Sequence, residues 1–309
     1  KLKMKHKNID IVHFNESCLS IFAIFVRMFF KAHFFVHCRT LMIGKKALSG
    51  RLSDYLWGYF KSKFIAIDKN VAMTLPQELL TEESRVRIIH NGFRLGLKPD
   101  LKIGKKDISK PFRVGFVGGL HKAKGCFELT KAIINLTENG RNVNLTIVGD
   151  DKEKNNSDGI RIRVLKYFGL YQNISKEIFQ LISLNKDKTD IKFTGFQMNI
   201  AKYYNEFDVI VFPSYYDAPG RPIFEGALFG VPSIAAINNP QEDTFRPYET
   251  GIQIKPKSTK DIELAIEYMI DNPESYKIMC SNSFELAWNN FNIDENSKKL
   301  FDFYNSVNK

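Results

Sequence analysis

Short apolar runs alternate with segments of helical periodicity along most of the chain. This alternation is typical of parallel sheets whose strands are joined by crossover helices. The apolar runs predict strands at 9–14, 33–37, 64–67, 86–90, 112–117, 145–148, 191–194, 209–212, 233–236 and 252–254. The helical patterns predict helices at 18–30 and at about 125–139, 198–206, 221–230, 258–271, 274–289 and 294–307. We therefore expect an α/β protein with doubly wound parallel sheets.

A charged stretch with few large apolar residues, 98–111, separates the first four predicted strands from the rest. The chain has 309 residues, which is long for a single core. We interpret the stretch as an interdomain linker. The sequence thus predicts a first domain at 1–110 and a second domain that begins at 111.

The net charge of +11 is concentrated in the first third of the chain. Residues 1–110 hold 21 Lys and Arg against 9 Asp and Glu (+12), and the remainder holds 24 against 25 (−1). Such asymmetry indicates an anionic membrane surface or a phosphate-bearing acceptor as partner, but a merely solvated face explains the charge equally well. No basic helix with base-reading polar residues is present, so nucleic acid is not expected as a partner.

The segment 19–36 is strongly apolar, yet Arg27, Lys31 and His33 interrupt it too often for a membrane span. Its helix either lies on a membrane surface or packs against the sheet. The four cysteines form no C-x-x-C pair, which argues for a reducing compartment. We expect a cytoplasmic protein. If the basic first third meets a membrane, the contact would be peripheral, on the cytoplasmic face.

The segment 212–236 carries most of the candidate chemistry. Asp217 and Glu225 flank a Pro/Gly loop that runs into a predicted helix. A helix start presents free N–H groups to an anion, and carboxylates hold hydroxyl pairs. That combination suits a nucleotide sugar, and the residues around the helix start are Gly220, Arg221, Pro222 and Ile223, of which Pro222 has no N–H.

Another candidate loop follows the predicted strand 112–117. Gly118 and Gly119 let the backbone approach a ligand closely, and Lys122 and Lys124 follow them. Lys124 stands just before a helix, where it can neutralise a diphosphate. A third loop, 149–151, ends another strand and could border the base or ribose.

The order of these motifs resembles glycosyltransferase family 4, retaining enzymes of the GT-B fold. The matching segments are 10–13, 91–92, the strand-Gly-Gly-x4-Lys-Gly segment to Gly125, 146–149, 193–195, 208–214, the pair Asp217 and Glu225, 230–232, 250–251 and 288–304. The resemblance implies two Rossmann-like domains, the second being a nucleotide-sugar domain at 111–292. It also implies a C-terminal helix, 293–309, that crosses back to the first domain.

The resemblance also implies roles for particular residues. Lys124 would contact the diphosphate, Asp217 the donor sugar and Glu225 the ribose, and His37 matches the family's active-site histidine near that sugar. Transfer would retain the anomeric configuration, and no cofactor or metal is expected. The acceptor would be a glycan or a lipid-linked molecule in bacterial surface polysaccharide synthesis, such as capsule or lipopolysaccharide.

The chain departs from the family pattern at two positions. Asp217 stands where the family usually has Glu, and Gly119 stands where it usually has an Arg on the diphosphate, a role for which Lys122 and Arg221 are the candidates. The first domain is short, so we expect its opening strands to be missing, unless the chain is a member with a reduced first domain. A non-catalytic nucleotide-sugar-binding module is the alternative function. A dinucleotide oxidoreductase is excluded because no G-x-G-x-x-G follows a strand.

Overall fold

The computed structural model describes residues 9–41, 61–82, 84–93, 111–149, 174–216 and 219–307. The chain divides into two compact units, Lys1–Arg94 with Asn290–Lys309, and Leu95–Asn289. The predicted linker, 98–111, lies almost entirely outside the described residues. The predicted domain limits at 110 and 292 therefore stay a prediction.

The first unit contains a parallel sheet with the strand order β1-β2-β3-β4. The strands are β1 (Ile11–Phe14), β2 (His33–Cys38), β3 (Lys63–Ala66) and β4 (Val86–Ile88). One face packs against helices α1 (Ala23–Phe29), α2 (Lys69–Ala72) and α3 (Gln77–Leu80). The other face buries Phe35 and Ile65 with Phe303, a residue of the last helix of the chain. Both faces of this sheet are therefore covered, as a parallel sheet requires.

The second unit contains a longer parallel sheet with the order β10-β9-β8-β5-β6-β7. Its strands are β5 (Phe112–Val117), β6 (Val143–Val148), β7 (Asp190–Gly195), β8 (Val209–Phe212), β9 (Ser233–Ala236) and β10 (Gly251–Ile254). Since β6 and β7 lie on one side of β5 and the later strands on the other, the strand order reverses between β5 and β8. In doubly wound sheets such a switch point is where ligands bind.

The helices cover both faces of this sheet. They are α4 (Cys126–Glu138), α5 (Ile174–Leu184), α6 (Ile200–Glu206), α7 (Arg221–Ala227), α8 (Thr259–Asp271) and α9 (Pro273–Phe291). The helix that follows, α10 (Ile293–Asn305), belongs to the first unit and packs on the first sheet. The core of one face joins the strands to α4, α5, α8 and α9. On the opposite face, Tyr204 and Phe207 pack on Ile210 and Val231.

Most predicted elements are found within a few residues of their predicted limits. The predicted helix 18–30 is wrong in its first part, because Ser17–Phe22 is a 3-10 helix and only Ala23–Phe29 is α-helical. Its aromatic and β-branched residues are weak helix formers, and no side chain caps the helix start. Helix α5 and the short helices α2 and α3 were not predicted. Among the helices of the described residues, none has the length and apolar character needed to cross a bilayer.

Candidate functional site

The candidate site lies at the carboxyl ends of β5, β6 and β8, beside the switch point. The loops there contact one another through backbone atoms. The Gly118 N–H donates to the Val148 carbonyl over 2.9 Å, and the Gly149 N–H donates to the Gly195 carbonyl over 3.0 Å. A Cβ at Gly149 would overlap the Gly118 carbonyl oxygen, so this approach of the two loops requires glycine.

The loop after β5 is also fixed to the loop after β8. A 3-10 turn, Lys122–Lys124, ends at Gly125, which has a left-handed φ of 71°. The Tyr215 N–H donates to the Ala123 carbonyl over 2.9 Å. A Cβ at Gly125 would overlap the Pro213 carbonyl. Lys124 is held at the site because the residues before and after it, Ala123 and Gly125, pack against the loop that follows β8.

These loops enclose a cavity of about 490 Å³. Seven of the sequence-predicted donor residues line it: Gly118, Gly119, Lys124, Gly220, Arg221, Pro222 and Glu225. The remaining lining residues are Val117, Val148, Gly149, Phe196, Gln197, Ile200 and Phe212. A cavity of this size with an apolar wall and a few convergent polar groups is typical of a small-molecule site.

Lys124 supplies positive charge on one wall of the cavity. Its side chain is half-buried, and its Nζ lies 5.1 Å from the centre of the Phe212 ring, within the range of a cation–π contact. Burial lowers the pKa of Lys124. No carboxylate among the described residues forms an ion pair with it. An anionic ligand would therefore relieve part of the cost of burying this ammonium group.

Glu225, on α7, also lines the cavity, and both of its carboxylate oxygens accept hydrogen bonds. Tyr204 donates its hydroxyl to Oε2 over 2.8 Å, and Arg221 donates to Oε1 over 2.7 Å. The Tyr204 side chain is buried, whereas the Arg221 side chain is 72% exposed. Burial and the neighbouring Glu225 carboxylate raise the pKa of Tyr204, which keeps its phenol a hydrogen-bond donor.

The other predicted donor residues lie elsewhere. The Lys122 side chain is exposed and Ile223 is buried, and neither lines the cavity. The Ile223 N–H already donates to the Gly220 carbonyl over 3.0 Å, so the backbone near the start of α7 offers fewer free donors than expected. Asp217 lies outside the described residues, as do Asp150 and Asp151. The structure describes no group of three or more His, Cys, Asp or Glu side chains able to hold a metal, and metal independence stays a prediction.

His37 lies in the first unit, near the end of β2, and is 8% exposed. Its Nδ1 lies 3.3 Å from Nε2 of His13, and Nδ1 of His13 contacts the Tyr304 hydroxyl. Burial, and then the charges of Arg39 and His13, lower the pKa of His37 to about 4. His37 is therefore neutral at neutral pH.

Sequence reasoning missed Tyr204 and the apolar residue Phe196. For Tyr204 a signal existed, because it follows Ile200 by four residues on the same face of a predicted helix and a buried tyrosine hydroxyl needs a partner. Phe196 is 72% exposed although it lines the cavity. No sequence signal identified Phe196, since it stands in the short connection between β7 and α6.

The chain is similar in sequence to a curated protein and in structure to solved ones. The capsular polysaccharide biosynthesis glycosyltransferase CapM of Staphylococcus aureus is 24% identical over 254 residues, which is 79% of this chain and 62% of CapM. The crystal structure of Anabaena HepE with UDP superposes with a TM-score of 0.75 at 19% identity, covering 99% of this chain and 80% of HepE. HepE with UDP-glucose gives a TM-score of 0.71 at 19% identity, over 96% and 79%.

The predicted fold, two Rossmann-like units with parallel sheets of the GT-B class, is confirmed by these likenesses and by the sheets. The chain spans 62% of the length of the curated relative CapM. The profile of the family described as Glycosyl transferases group 1 matches residues 100–285, more than half of the chain. The match includes every described residue of the cavity, and the chain therefore belongs to the glycosyl transferases group 1 family.

Proposed function

We propose that this chain is a retaining glycosyltransferase that moves a sugar from a nucleoside-diphosphate donor to a glycan or lipid-linked acceptor. The observation that carries the proposal is the cavity at the switch point, where Lys124 faces a site that Glu225 also lines. HepE, which shares the fold, is described with UDP and with UDP-glucose. The name of CapM supports a role in the synthesis of a surface polysaccharide such as a capsule.

In this proposal Lys124 contacts the diphosphate, whose charge must be stabilised as the sugar bond breaks. Glu225 holds the ribose hydroxyls. Although Tyr204 and Arg221 already donate to it, each carboxylate oxygen accepts more than one hydrogen bond. The ribose can therefore bind without displacing Tyr204.

The remaining roles come from the family resemblance. Asp217 would hold the donor sugar, and a phosphate oxygen of the donor would take the acceptor proton. His37 would contact the sugar. A neutral histidine with a pKa of about 4 is a weak base at neutral pH, which supports a contact role and not that of a general base.

Calorimetric titration with UDP, other nucleoside diphosphates and their sugars tests the donor site. We expect Glu225→Ala to weaken nucleotide binding by at least about tenfold, the loss of roughly 1.4 kcal/mol. Glu274→Ala is the matched control, because Glu274 is an exposed carboxylate of the same unit. Unchanged nucleotide affinity in Glu225→Ala would contradict the assignment of the donor site to this cavity.

The alternative function is a non-catalytic nucleotide-sugar-binding module. A turnover assay distinguishes it from the transferase. The transferase releases nucleoside diphosphate when donor and acceptor are both present, and the product keeps the anomeric configuration of the donor. Binding of the donor without release, across a panel of glycan and lipid-linked acceptors, would support the module and contradict the transferase.

We infer an anionic membrane surface, on the cytoplasmic side, as the partner of the first unit. The segment 17–53 contains no Asp or Glu but holds Arg27, Lys31, Arg39, Lys45, Lys46 and Arg51. In and beside α1, large apolar side chains are exposed at spacings of three and four residues: Phe22 (53%), Phe25 (63%) and Phe29 (55%), together with Met28 (72%). Exposed apolar groups flanked by cations are typical of helices that lie in a membrane interface.

Sedimentation with vesicles tests this partner. We expect binding to vesicles that contain anionic lipid, weaker binding to zwitterionic vesicles, and loss of binding in Phe25→Ser/Met28→Ser. Leu184→Ser is the control, since Leu184 is as exposed (74%) but belongs to the second unit. Equal binding of all three proteins would contradict the assignment.

A further inference from the structure

Three side chains of the first unit form a continuous chain of polar contacts: Tyr304, His13 and His37. The Tyr304 hydroxyl contacts Nδ1 of His13, and Nε2 of His13 lies 3.3 Å from Nδ1 of His37. The three residues come from α10, β1 and β2. Nε2 of His37 ends the chain, because it is buried and has no hydrogen-bond partner among the described residues.

The surroundings keep both imidazoles neutral. Burial, followed by the charge of Arg39, lowers the pKa of His13 and of His37. The Tyr304 ring packs edge-on against Phe35, with 4.8 Å between ring centres. Each neutral imidazole carries one N–H and one nitrogen lone pair. The two rings can therefore be joined only if one donates and the other accepts.

The direction of donation follows from Tyr304. Burial raises its pKa, so the phenol keeps its proton. A phenol is a good donor, and the lone pair of a neutral imidazole is a better acceptor than a phenol oxygen. Tyr304 therefore donates to Nδ1 of His13, which leaves the His13 proton on Nε2. That N–H donates to Nδ1 of His37, and the proton of His37 must be on Nε2.

We propose that Tyr304 and His13 are positioning residues that hold His37 in the tautomer with its proton on Nε2, so that His37 presents a fixed N–H donor to a substrate oxygen. The hydrogen-bond acceptor would be an oxygen of the substrate, and this part alone rests on the proposed function. An unpaired buried N–H is unfavourable, and an oxygen acceptor would satisfy it. A tautomer fixed by a neighbour that does not touch the substrate is a known means of orienting histidine.

Nitrogen NMR of the full chain labelled at its histidines tests the tautomer directly, without a substrate. We expect the wild-type His37 to carry its proton on Nε2, with Nδ1 as acceptor. Tyr304→Phe removes only the hydroxyl, so we expect a mixture of tautomers in that variant. Tyr268→Phe, a change in the second unit, is the control and should leave the His37 signals unchanged. A wild-type proton on Nδ1, or an unaltered tautomer in Tyr304→Phe, would overturn the proposal.

Kinetics then separate this proposal from the proposed function. We expect Tyr304→Phe to lower kcat/KM about tenfold or more, as loss of an orienting partner does elsewhere. His37→Gln keeps an N–H donor and should retain more activity than His37→Leu, whereas equal activities would contradict a donor role. If the tautomer is as expected but no sugar is transferred, the positioning chain stands and the proposed function fails.

Discussion

The substitution Gly125→Ala tests whether the contact between Gly125 and Pro213 fixes the candidate site. Gly125 has a left-handed φ of 71°, and a Cβ there would come closer than 3.0 Å to the Pro213 carbonyl oxygen. The left-handed backbone alone costs a non-glycine residue about 1–2 kcal/mol. Forcing an extra carbon against a packed backbone adds roughly 1–3 kcal/mol. We therefore expect Gly125→Ala to lower the free energy of unfolding by about 2–5 kcal/mol.

Gly140→Ala is the matched control for this prediction. Gly140 belongs to the same unit and has a similar φ of 80°, but a Cβ there would meet nothing within 4 Å. Its loss should be the backbone cost alone, about 1–2 kcal/mol. Urea unfolding of the two variants measures the difference. Under the proposed function, calorimetric titration with nucleoside diphosphates should also show weaker binding only in Gly125→Ala. Equal loss of stability in both variants would refute the argument from the Pro213 contact.

Three further substitutions test other parts of the molecule. Asp208→Ala removes a fully buried carboxylate that accepts hydrogen bonds from the backbone and guanidinium of Arg113. Urea unfolding should show that the free energy of unfolding falls by about 3 kcal/mol. This is the lower end of the range for a broken buried ion pair, because Arg113 is partly exposed. Tyr204→Phe leaves one carboxylate oxygen of Glu225 without its buried hydrogen-bond donor. We expect the free energy of unfolding to fall by about 1.5–3 kcal/mol and, under the proposed function, nucleotide binding measured by calorimetry to weaken. An unchanged free energy of unfolding and unchanged affinity would contradict the role of this bond. The pKa of His37 is about 4 in place of 6.5, so the unfolded chain binds a proton first as the pH falls, and about 3 kcal/mol of stability present above pH 6.5 is lost towards pH 4. Urea unfolding of His37→Gln should lack this share of the loss and keep only the share of His13, whose pKa is also lowered. The same pH dependence in both proteins would refute the prediction.

The sequence predicted the second unit well because of how its sheet is buried. Phe112–Val117, Val209–Phe212 and Ser233–Ala236 have the same limits in prediction and structure. A strand buried on both faces is a continuous apolar run, and glycine, proline or a charged residue at its ends marks its limits. Helix α5 was not predicted. Its buried apolar residues, Ile174 and Ile178, do not stand in a continuous apolar run of this kind, and no strand or turn signal marks their surroundings.

The candidate site was predicted in its loops but not in its contacts. Spacing predicted that Lys124 and Glu225 lie near one ligand, because loops at the carboxyl ends of neighbouring strands must meet. Spacing carries no information on the partners of Glu225, which depend on how α6 packs on the sheet. The contact between His13 and Tyr304 joins residues 291 positions apart, and only the packing of α10 on the first sheet brings them together.

The two hydrogen bonds to Glu225 differ in the free energy that would be lost if a ligand replaced them. The bond from Arg221 is an exposed ion pair between the first and second turns of α7, and such pairs contribute roughly 0–1 kcal/mol. The bond from Tyr204 is buried, and a hydrogen bond to a charged group there contributes about 1.5–3 kcal/mol. Under the proposed function, a diphosphate that enters the cavity therefore competes for Arg221 more readily than a ribose competes for Tyr204. In that proposal Arg221 would be the second cation on the diphosphate, in place of the Arg that the family usually has at Gly119, and Tyr204 would keep Glu225 oriented towards the ribose.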